Sequence, residues 1–256
     1  MVLLCTVSPN NMLSNDLISI REATKQLGVS IDTLRRWDAA GRLPSVRSGP
    51  RGHRFYRQTD INLFLRNESA LAKQWAIASV GVTPPNDVYC PTRDVFQARL
   101  ERLQHSLENI VPDSARYLLS AIAGEIGNNS FDHNLGNWPD ITGIYFSYDL
   151  NNRNIVLADR GQGILKTLRH ARPQLTNAGE ALKVAFTETI SGRTPEARGN
   201  GLKFVRKVII ENPFTLKFQT GDAKLFLKEH DNNISILPAG EYIRGCIAII
   251  GFEKRT

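Results

Sequence analysis

A carboxylate, an amide and an imidazole recur every four residues in the second half of the chain, at Glu125, Asn129 and His133. Residues four apart lie on one face of a helix, so a helical segment here would project all three side chains together. The amide oxygen of Asn129 suits Mg²⁺, a hard cation that takes few protein ligands. A carboxylate one turn away is suited to orient or deprotonate a water molecule. This segment is the first part of a predicted nucleotide pocket.

The second part of that pocket is an acceptor at the end of an apolar run. Asp159 follows residues 155–158, which read as a buried strand, and the carboxylate is able to accept a hydrogen bond from an amino group. Gly161 and Gly163 come directly after it, and their missing side chains let a flat base approach the backbone. We therefore expect a base to be recognised at this strand end.

The third part is a glycine-containing block that leads into a helix-like run, residues 202–210. The first amide groups of a helix lack partners within it, and the helix dipole is positive there, so phosphates are attracted to this end. Before the block, residues 165–198 are rich in small and polar residues and are expected to form a mobile lid, with Arg193 as a candidate phosphate contact. The block consists of Arg198, Gly199, Asn200, Gly201 and Leu202.

In this order the three blocks resemble the motifs of the GHKL ATPases, and the small anti-sigma-factor serine kinases are especially similar. The resemblance covers roughly residues 90–256 and implies ATP and Mg²⁺ as cofactors. It also implies slow hydrolysis, because a chain of 256 residues leaves no room for the transducer domain and lysine of the larger relatives. The roles it implies are a general base at Glu125, a Mg²⁺ ligand at Asn129, an adenine acceptor at Asp159, phosphate and lid glycines at Gly161, Gly163, Gly199 and Gly201, and for His133 either a nucleotide contact or a surface position.

The remaining elements of this region are predicted from periodicity. Residues 93–110 and 113–133 read as helices, and residues 141–148 and 153–158 read as a hairpin that ends on Asp159. Strands near residues 214–218, 225–228 and 246–252 would complete a layered α/β sandwich. The predicted hairpin thereby sets the adenine acceptor at a strand end.

Near the start of the chain, two short helices are predicted around a tight turn. Ser19 is a plausible N-cap with Glu22 three residues later, Gly28 ends the first helix, and Ser30 caps a second helix that runs through Trp37. Residues 47–57 then read as a glycine-punctuated basic hairpin, and residues 60–65 as a closing helix. The layout is typical of a helix-turn-helix followed by a wing.

Residues 16–66 resemble the MerR and excisionase-type winged helix-turn-helix, which implies double-stranded DNA as a partner. Arginine side chains pair with guanine acceptors or with phosphate oxygens. The alternative is a solvated basic face or a winged helix that binds protein. The resemblance directs Ser30, Thr33, Arg35 and Arg36 toward the major groove, and Arg51, His53, Arg54 and Arg57 toward the backbone or minor groove.

Composition supports two domains. Residues 14–66 hold ten Arg or Lys against five Asp or Glu, a net of +5, out of +7 for the whole chain. Three distant cysteines favour a reducing compartment, and no segment has the length of a membrane span or the pattern of a signal peptide, so we expect a cytoplasmic protein without a membrane partner. The expected fold is α+β, with a winged helix-turn-helix over residues 14–66, a helical connector over residues 67–89 and a two-layer GHKL-type (Bergerat) α/β sandwich over residues 90–256.

Two functions from different classes follow. The first is a DNA-binding regulator in which Mg-ATP binding or slow hydrolysis switches the winged helix-turn-helix. The second is an anti-sigma-type serine/threonine protein kinase that acts on a small partner protein. Because no long heptad run is present, the sequence leaves open whether the chain forms a homodimer.

Overall fold

The computed structural model describes residues 16–39, 41–47, 49, 52–65, 67–188 and 200–253. Contacts divide the chain into two units between Leu71 and Ala72. We call the first the winged unit and the second the sandwich unit. The elements that begin before the division are β1 (Leu17–Ser19), α1 (Ile20–Leu27), α2 (Ile31–Ala39), β2 (Val46–Arg47), β3 (Arg54–Arg57), α3 (Gln58–Phe64) and α4 (Glu68–Ile77).

Local capping defines the two helices of the helix-turn-helix. The Ser19 hydroxyl accepts from the Glu22 amide at 3.3 Å, and Glu22 Oε2 accepts from the Ser19 amide at 2.8 Å, so the predicted capping box is confirmed. Helix α1 then ends at Gly28, which is left-handed with a φ of 66°. Ser30 Oγ accepts from the Thr33 amide at 3.1 Å at the start of α2, as predicted.

The winged unit has a small core of its own. Strand β3 pairs antiparallel with both β1 and β2, which confirms the predicted wing among the described residues. Leu34, Tyr56 and Ile61 are fully buried, and the Tyr56 hydroxyl donates to the Leu34 carbonyl oxygen at 3.3 Å. The side chains of α2 therefore pack inward on one face and leave the opposite face to solvent.

The sandwich unit contains a five-stranded antiparallel sheet in the order β4-β5-β6-β8-β7. Phe146, Leu157 and Ala248 lie side by side in register on three neighbouring strands and belong to the core between sheet and helices. Its elements are β4 (Tyr89–Cys90), α5 (Arg93–Ser106), α6 (Asp113–Asn134), β5 (Ile144–Asp149), β6 (Asn154–Asp159), α7 (Gly163–Arg169), α8 (Ala178–Thr187), α9 (Gly201–Glu211), β7 (Phe214–Lys228) and β8 (Ile236–Phe252).

The predicted fold class, α+β with a small winged helix-turn-helix followed by a layered α/β sandwich, is confirmed. Two local predictions are wrong. Residues 214–218 and 225–228 belong to one strand, because β7 continues through a bulge at Gly221 rather than turning. The first part of the predicted lid forms helices α7 and α8, since Leu182 and Phe186 are buried in the core, while residues 189–198 lie outside the described part of the chain.

Membrane insertion has no support in the described elements. None of their helices combines the length and the apolar composition that crossing a bilayer requires.

Candidate functional site

Helix α6 brings the first predicted block against the third. Glu125 and Asn129 are half-buried on its surface, facing the start of α9. A methyl group added to Gly201 would lie 2.5 Å from Glu125 Oε2 and 3.3 Å from Asn129 Nδ2. The backbone of α9 therefore begins directly beside the Glu125 carboxylate and the Asn129 amide, and a larger residue at position 201 would displace the Glu125 side chain.

Asp159 ends β6 as a buried carboxylate that is 3% exposed. Its Oδ2 accepts from the Ser130 hydroxyl and its Oδ1 from the Gly161 amide, each at 2.8 Å. Burial raises the pKa of this carboxyl to about 6, although hydrogen bonds from Ser130 and from the amides of Gly161 and Cys246 partly offset the rise. Each carboxylate oxygen has two accepting positions, so Asp159 retains capacity for a further donor.

Asn129, Gly201 and Asp159 border one pocket with apolar walls and a polar end, as is usual for small-molecule sites. Glu125 lies beside Gly201 but is not among the residues that line this pocket. Helices α6, α7 and α9 and strands β7 and β8 all contribute to the wall. The apolar lining consists of Ile126, Ile164, Leu168, Ala185, Leu202 and Phe218. Polar groups are contributed by Asn129, Ser130, His133, Asn134, Asp159 and Glu188.

The glycines after Asp159 have different positions. Gly163 lines the pocket, whereas Gly161 packs against the side-chain amide of Asn134, with which any Cβ would overlap. Asn134 in turn accepts from the Gln162 amide at 2.7 Å and donates to the Ser130 carbonyl oxygen at 2.8 Å. The loop after β6 is thus held directly on the end of α6.

The imidazole of His133 is exposed at the rim of the pocket. Its backbone carbonyl oxygen accepts from the Gln162 side chain at 3.1 Å. His133 therefore lies beside the loop after β6, at the open side of the pocket.

Two pocket-side residues on the neighbouring strands were not predicted. Thr220 Oγ1 donates to the Gly245 carbonyl oxygen at 3.0 Å and accepts from the Ile164 amide at 3.2 Å. Cys246 lies opposite Thr220 in register and lines the pocket, where burial, followed by the nearby Asp159 charge, raises the pKa of its thiol well above the usual value. No local sequence signal distinguishes Thr220, because polar residues recur along β7.

Helix α9 begins where the third block was predicted to offer amides. The Phe204 amide donates to the Asn200 carbonyl oxygen at 2.8 Å, so Asn200 is the N-cap, and among the described residues no side chain caps this helix. In contrast, Thr92 and Asn177 cap α5 and α8 with their side chains. The start of α9, which carries the positive end of its helix dipole, lies at the pocket, since Gly201 and Leu202 line it. The predicted contacts at Arg193, Arg198 and Gly199 lie outside the described residues.

On the winged unit, the predicted groove-facing residues cluster at α2. Ser30 and Thr33 hydrogen bond to each other through their hydroxyls at 3.0 Å. Arg35 and Arg36 are exposed, and Arg35 makes only a solvent-exposed ion pair with Asp32 at 3.1 Å. A surface pair of this kind contributes little stability, so the guanidinium is readily transferred to another acceptor.

The predicted wing residues are not equivalent. Arg54 Nε donates to Asp38 Oδ2 at 2.8 Å, and this arginine is 27% exposed. Arg47 joins the same carboxylate at 3.0 Å. Burial alone would raise the pKa of Asp38, but hydrogen bonds from Arg54, Ser45 and Arg47 together hold it well below its usual range. Arg54 thus belongs to an internal ion pair that the sequence did not predict.

The other wing residues face solvent or cannot be described. His53 and Arg57 are exposed, at the start and at the end of β3. Arg51 lies outside the described part of the chain. Of the predicted wing contacts that are described, Arg57 and His53 therefore face solvent, whereas Arg54 is paired with Asp38.

Comparisons with known proteins identify the class of the winged unit. Residues 19–56 match the family described as MerR family regulatory protein, so the predicted MerR resemblance is confirmed over α1, α2 and the wing. A stretch of 65 residues is 40% identical to the Type II methyltransferase M.Eco47II of Escherichia coli, covering 25% of this chain and 15% of that protein. The chain therefore spans only a small part of that curated relative.

One solved structure that is similar to part of this chain is the topoisomerase IV ATP binding domain of Francisella tularensis in complex with a small molecule inhibitor. The similarity covers 60% of this chain and 70% of that one, with 14% sequence identity and a TM-score of 0.29. At this TM-score the likeness does not by itself define the chemistry of the pocket.

Proposed function

We propose that this chain is a DNA-binding regulator whose sandwich unit binds Mg-ATP in a GHKL-type pocket. The observation that carries the proposal is the convergence of three distant sequence blocks. Asn129, Asp159 and Gly201 all border one pocket, and Asp159 is a buried acceptor at its polar end. Independent surface features rarely converge in this way, so the geometry supports a single bound nucleotide.

Each part of ATP has a suitable partner among these residues. The amino group of adenine would donate to Asp159, whose remaining accepting positions fit such a donor. The phosphates would lie at the start of α9, and Asn129 would hold the Mg²⁺, which neutralises phosphate charge when bound. Glu125 is half-buried beside Gly201, where it would orient or deprotonate the attacking water.

DNA binding is supported by the MerR-type unit and its charge. The net +5 of residues 14–66 provides an electrostatic attraction to phosphates. Arg35 and Arg36 are exposed on α2, the helix expected in the major groove. This charge would make binding strongly salt-dependent.

Two substitutions test the pocket assignment. Glu125→Ala should bind ATP normally in calorimetry but lose phosphate release, and Asn129→Ala should lose the Mg²⁺-dependent part of binding. Glu101→Ala, at an exposed glutamate on α5, is the control and should behave as wild type. Normal turnover by Glu125→Ala would exclude it as the base. Labelled phosphate that appears on a protein rather than in solution would support the kinase function instead.

The switching step is tested with DNA. If ATP favours a dimer, two winged units are held together and the second DNA contact becomes intramolecular. ATP should then tighten binding to paired half-sites about tenfold, which corresponds to about 1.4 kcal/mol, and leave a single half-site nearly unchanged. Light scattering and titration with both DNAs measure this. If ATP changes neither molecular mass nor paired-site affinity, the two units are merely tethered.

A further inference from the structure

Directly after Asp159, the guanidinium of Arg160 is completely buried, with 0% exposure. Arg160 follows the last residue of β6 and, unlike Asp159, is not among the residues that line the pocket. Its partner Trp75 contacts Tyr145, which alternates along β5 with the core residue Phe146, so this contact lies on the other face of the sheet. A buried cation is unfavourable unless it is fully paired. Its Nη2 donates to Asp140 Oδ2 at 2.6 Å, and its Nη1 donates to the backbone carbonyl oxygen of Trp75 at 2.5 Å.

The Trp75 carbonyl belongs to the last turn of α4. The last four carbonyl groups of a helix have no partner within it, and the helix end carries negative partial charge. Arg160 therefore satisfies an acceptor that α4 itself leaves open. The Trp75 side chain extends the contact, because its indole Nε1 donates to the Val82 carbonyl oxygen at 2.8 Å and its ring centroid lies 6.2 Å from that of Tyr145. We call residues 72–82 the docked connector.

Asp140 joins the docked connector to two neighbouring strands. Besides Arg160, it accepts from Arg244 Nη1 at 3.2 Å, at the start of the part of β8 that pairs with β6. Gly81 packs directly on this carboxylate, since an added methyl group would lie 2.9 Å from Asp140 Oδ2 and 2.8 Å from Ile141 Cγ1. A displacement of Asp140 would therefore disturb the connector at Gly81 as well as at Trp75.

On the pocket side, strand β8 is in close contact with the end of β6 at Asp159. Gly245 follows Arg244 and has a φ of 74°. Any Cβ on Gly245 would overlap the Asp159 carboxylate and come within 2.6 Å of the Gly161 amide nitrogen. Movement of Asp159 toward a ligand is thus transmitted to the backbone that carries Arg160 and Arg244.

We propose that Arg160 is a positioning residue that couples nucleotide bound at Asp159 to the docking of residues 72–82 on the opposite face of the sheet. The inference rests on the proposed function, because it requires the pocket to bind ATP. Since these residues follow the winged unit along the chain, the coupling provides a route by which the pocket influences that unit. By linkage, a docked connector must tighten ATP binding by the same factor by which ATP stabilises docking.

Hydrogen exchange of the full-length protein tests the coupling. Saturating Mg-ATP should slow amide exchange in residues 72–89 of the wild type by about fivefold or more, the lower range of coupling between sites. In Arg160→Gln, ATP should no longer slow amide exchange in these residues. ATP affinity measured by calorimetry should fall by the factor by which ATP slows exchange in the wild type. Arg160→Lys keeps the charge and should restore part of both effects.

Arg102→Gln, at an exposed arginine on α5 that is not in contact with Asp140 or the docked connector among the described contacts, is the control and should retain the ATP-dependent protection. A purely structural Arg160 would give faster exchange with and without ATP alike, and its ATP-dependent ratio would equal that of the wild type.

The outcomes separate the two proposals. If calorimetry shows ATP binding by the wild type but exchange in residues 72–89 is unchanged, the coupling is refuted and the nucleotide pocket stands. If the wild type binds no ATP, the proposed function fails and the coupling fails with it. The wild-type measurement decides the question even if Arg160→Gln does not fold.

Discussion

Asp38 in the winged unit and Asp159 in the sandwich unit are both largely withdrawn from solvent, yet their surroundings are opposite. Asp38 accepts from two arginines, Arg47 and Arg54, and from the Ser45 amide at 2.8 Å. Asp159 accepts from a hydroxyl and backbone amides only. The pKa of Asp38 is therefore held below its usual range, whereas burial raises that of Asp159 to about 6.

This difference distinguishes a carboxylate that is paired with cations, Asp38, from the carboxylate for which we propose a ligand-binding role, Asp159. Asp38 is neutralised within the protein and fixes the wing to α2. Asp159 has no cation among its described hydrogen-bond partners, so its charge remains unfavourable until a donor arrives. Strongly perturbed ionisable groups in a cleft are candidates for function. These surroundings support the proposed recognition role of Asp159 and a structural role for Asp38.

The largest expected effect is the loss of ATP binding in Asp159→Ala. The substitution removes the acceptor for the adenine amino group and leaves the donors of Ser130 and Gly161 without their partner. Isothermal titration calorimetry should detect no binding of Mg-ATP. Asp222→Ala, at an exposed aspartate on β7, is the control and should bind as the wild type does. Unchanged affinity in Asp159→Ala would contradict the pocket assignment.

The next effect is on stability as a function of pH. The native pKa of Asp159 is raised to about 6, so the folded chain keeps this carboxyl protonated up to a higher pH than the unfolded chain does. The free energy of unfolding therefore falls as pH rises from about 4 to about 6. A rise of about two pKa units corresponds to about 3 kcal/mol. Urea denaturation should show that Asp159→Asn lacks this decrease.

Asp38 should show the opposite dependence. Its lowered native pKa stabilises the fold above the unfolded pKa of about 4, and this contribution is lost as pH falls further. Asp38→Asn should therefore lower the free energy of unfolding at neutral pH and reduce its further decrease in acid. Parallel pH profiles for the two asparagine variants would refute the contrast between the two carboxylates.

The smallest effect concerns the arginines that Asp38 does not neutralise. Arg35→Ala or Arg36→Ala should reduce the free energy of DNA binding by about 1–3 kcal/mol at a cognate base pair and relax the preference for that base. Arg57→Ala should weaken binding to all DNA sequences by a similar factor, because a phosphate contact carries no sequence information. Binding titrations of the full-length protein with a panel of duplexes measure both. An equal loss for every sequence in all three variants would show that α2 is not the recognition helix.

Local features were predictable from the sequence because the interactions that form them span only a few residues. The capping box of Ser19 and Glu22, the left-handed Gly28 and the helix that carries Glu125 and Asn129 all follow from spacing and residue type. The hairpin that ends on Asp159 follows from alternation and a turn. The order of the three blocks was sufficient to predict a pocket.

Contacts between distant strands were decided only by the tertiary structure. Thr220, Gly245 and the Arg160 pair with Asp140 have no local pattern, since their partners lie on other elements and the contacts depend on strand register. Helices α7 and α8 form within the predicted lid because burial of Leu168 on α7 and of Leu182 and Phe186 on α8 outweighs a composition of small and polar residues. Burial likewise makes Asp159 an unusual carboxylate, since it depends on residues far along the chain that surround it.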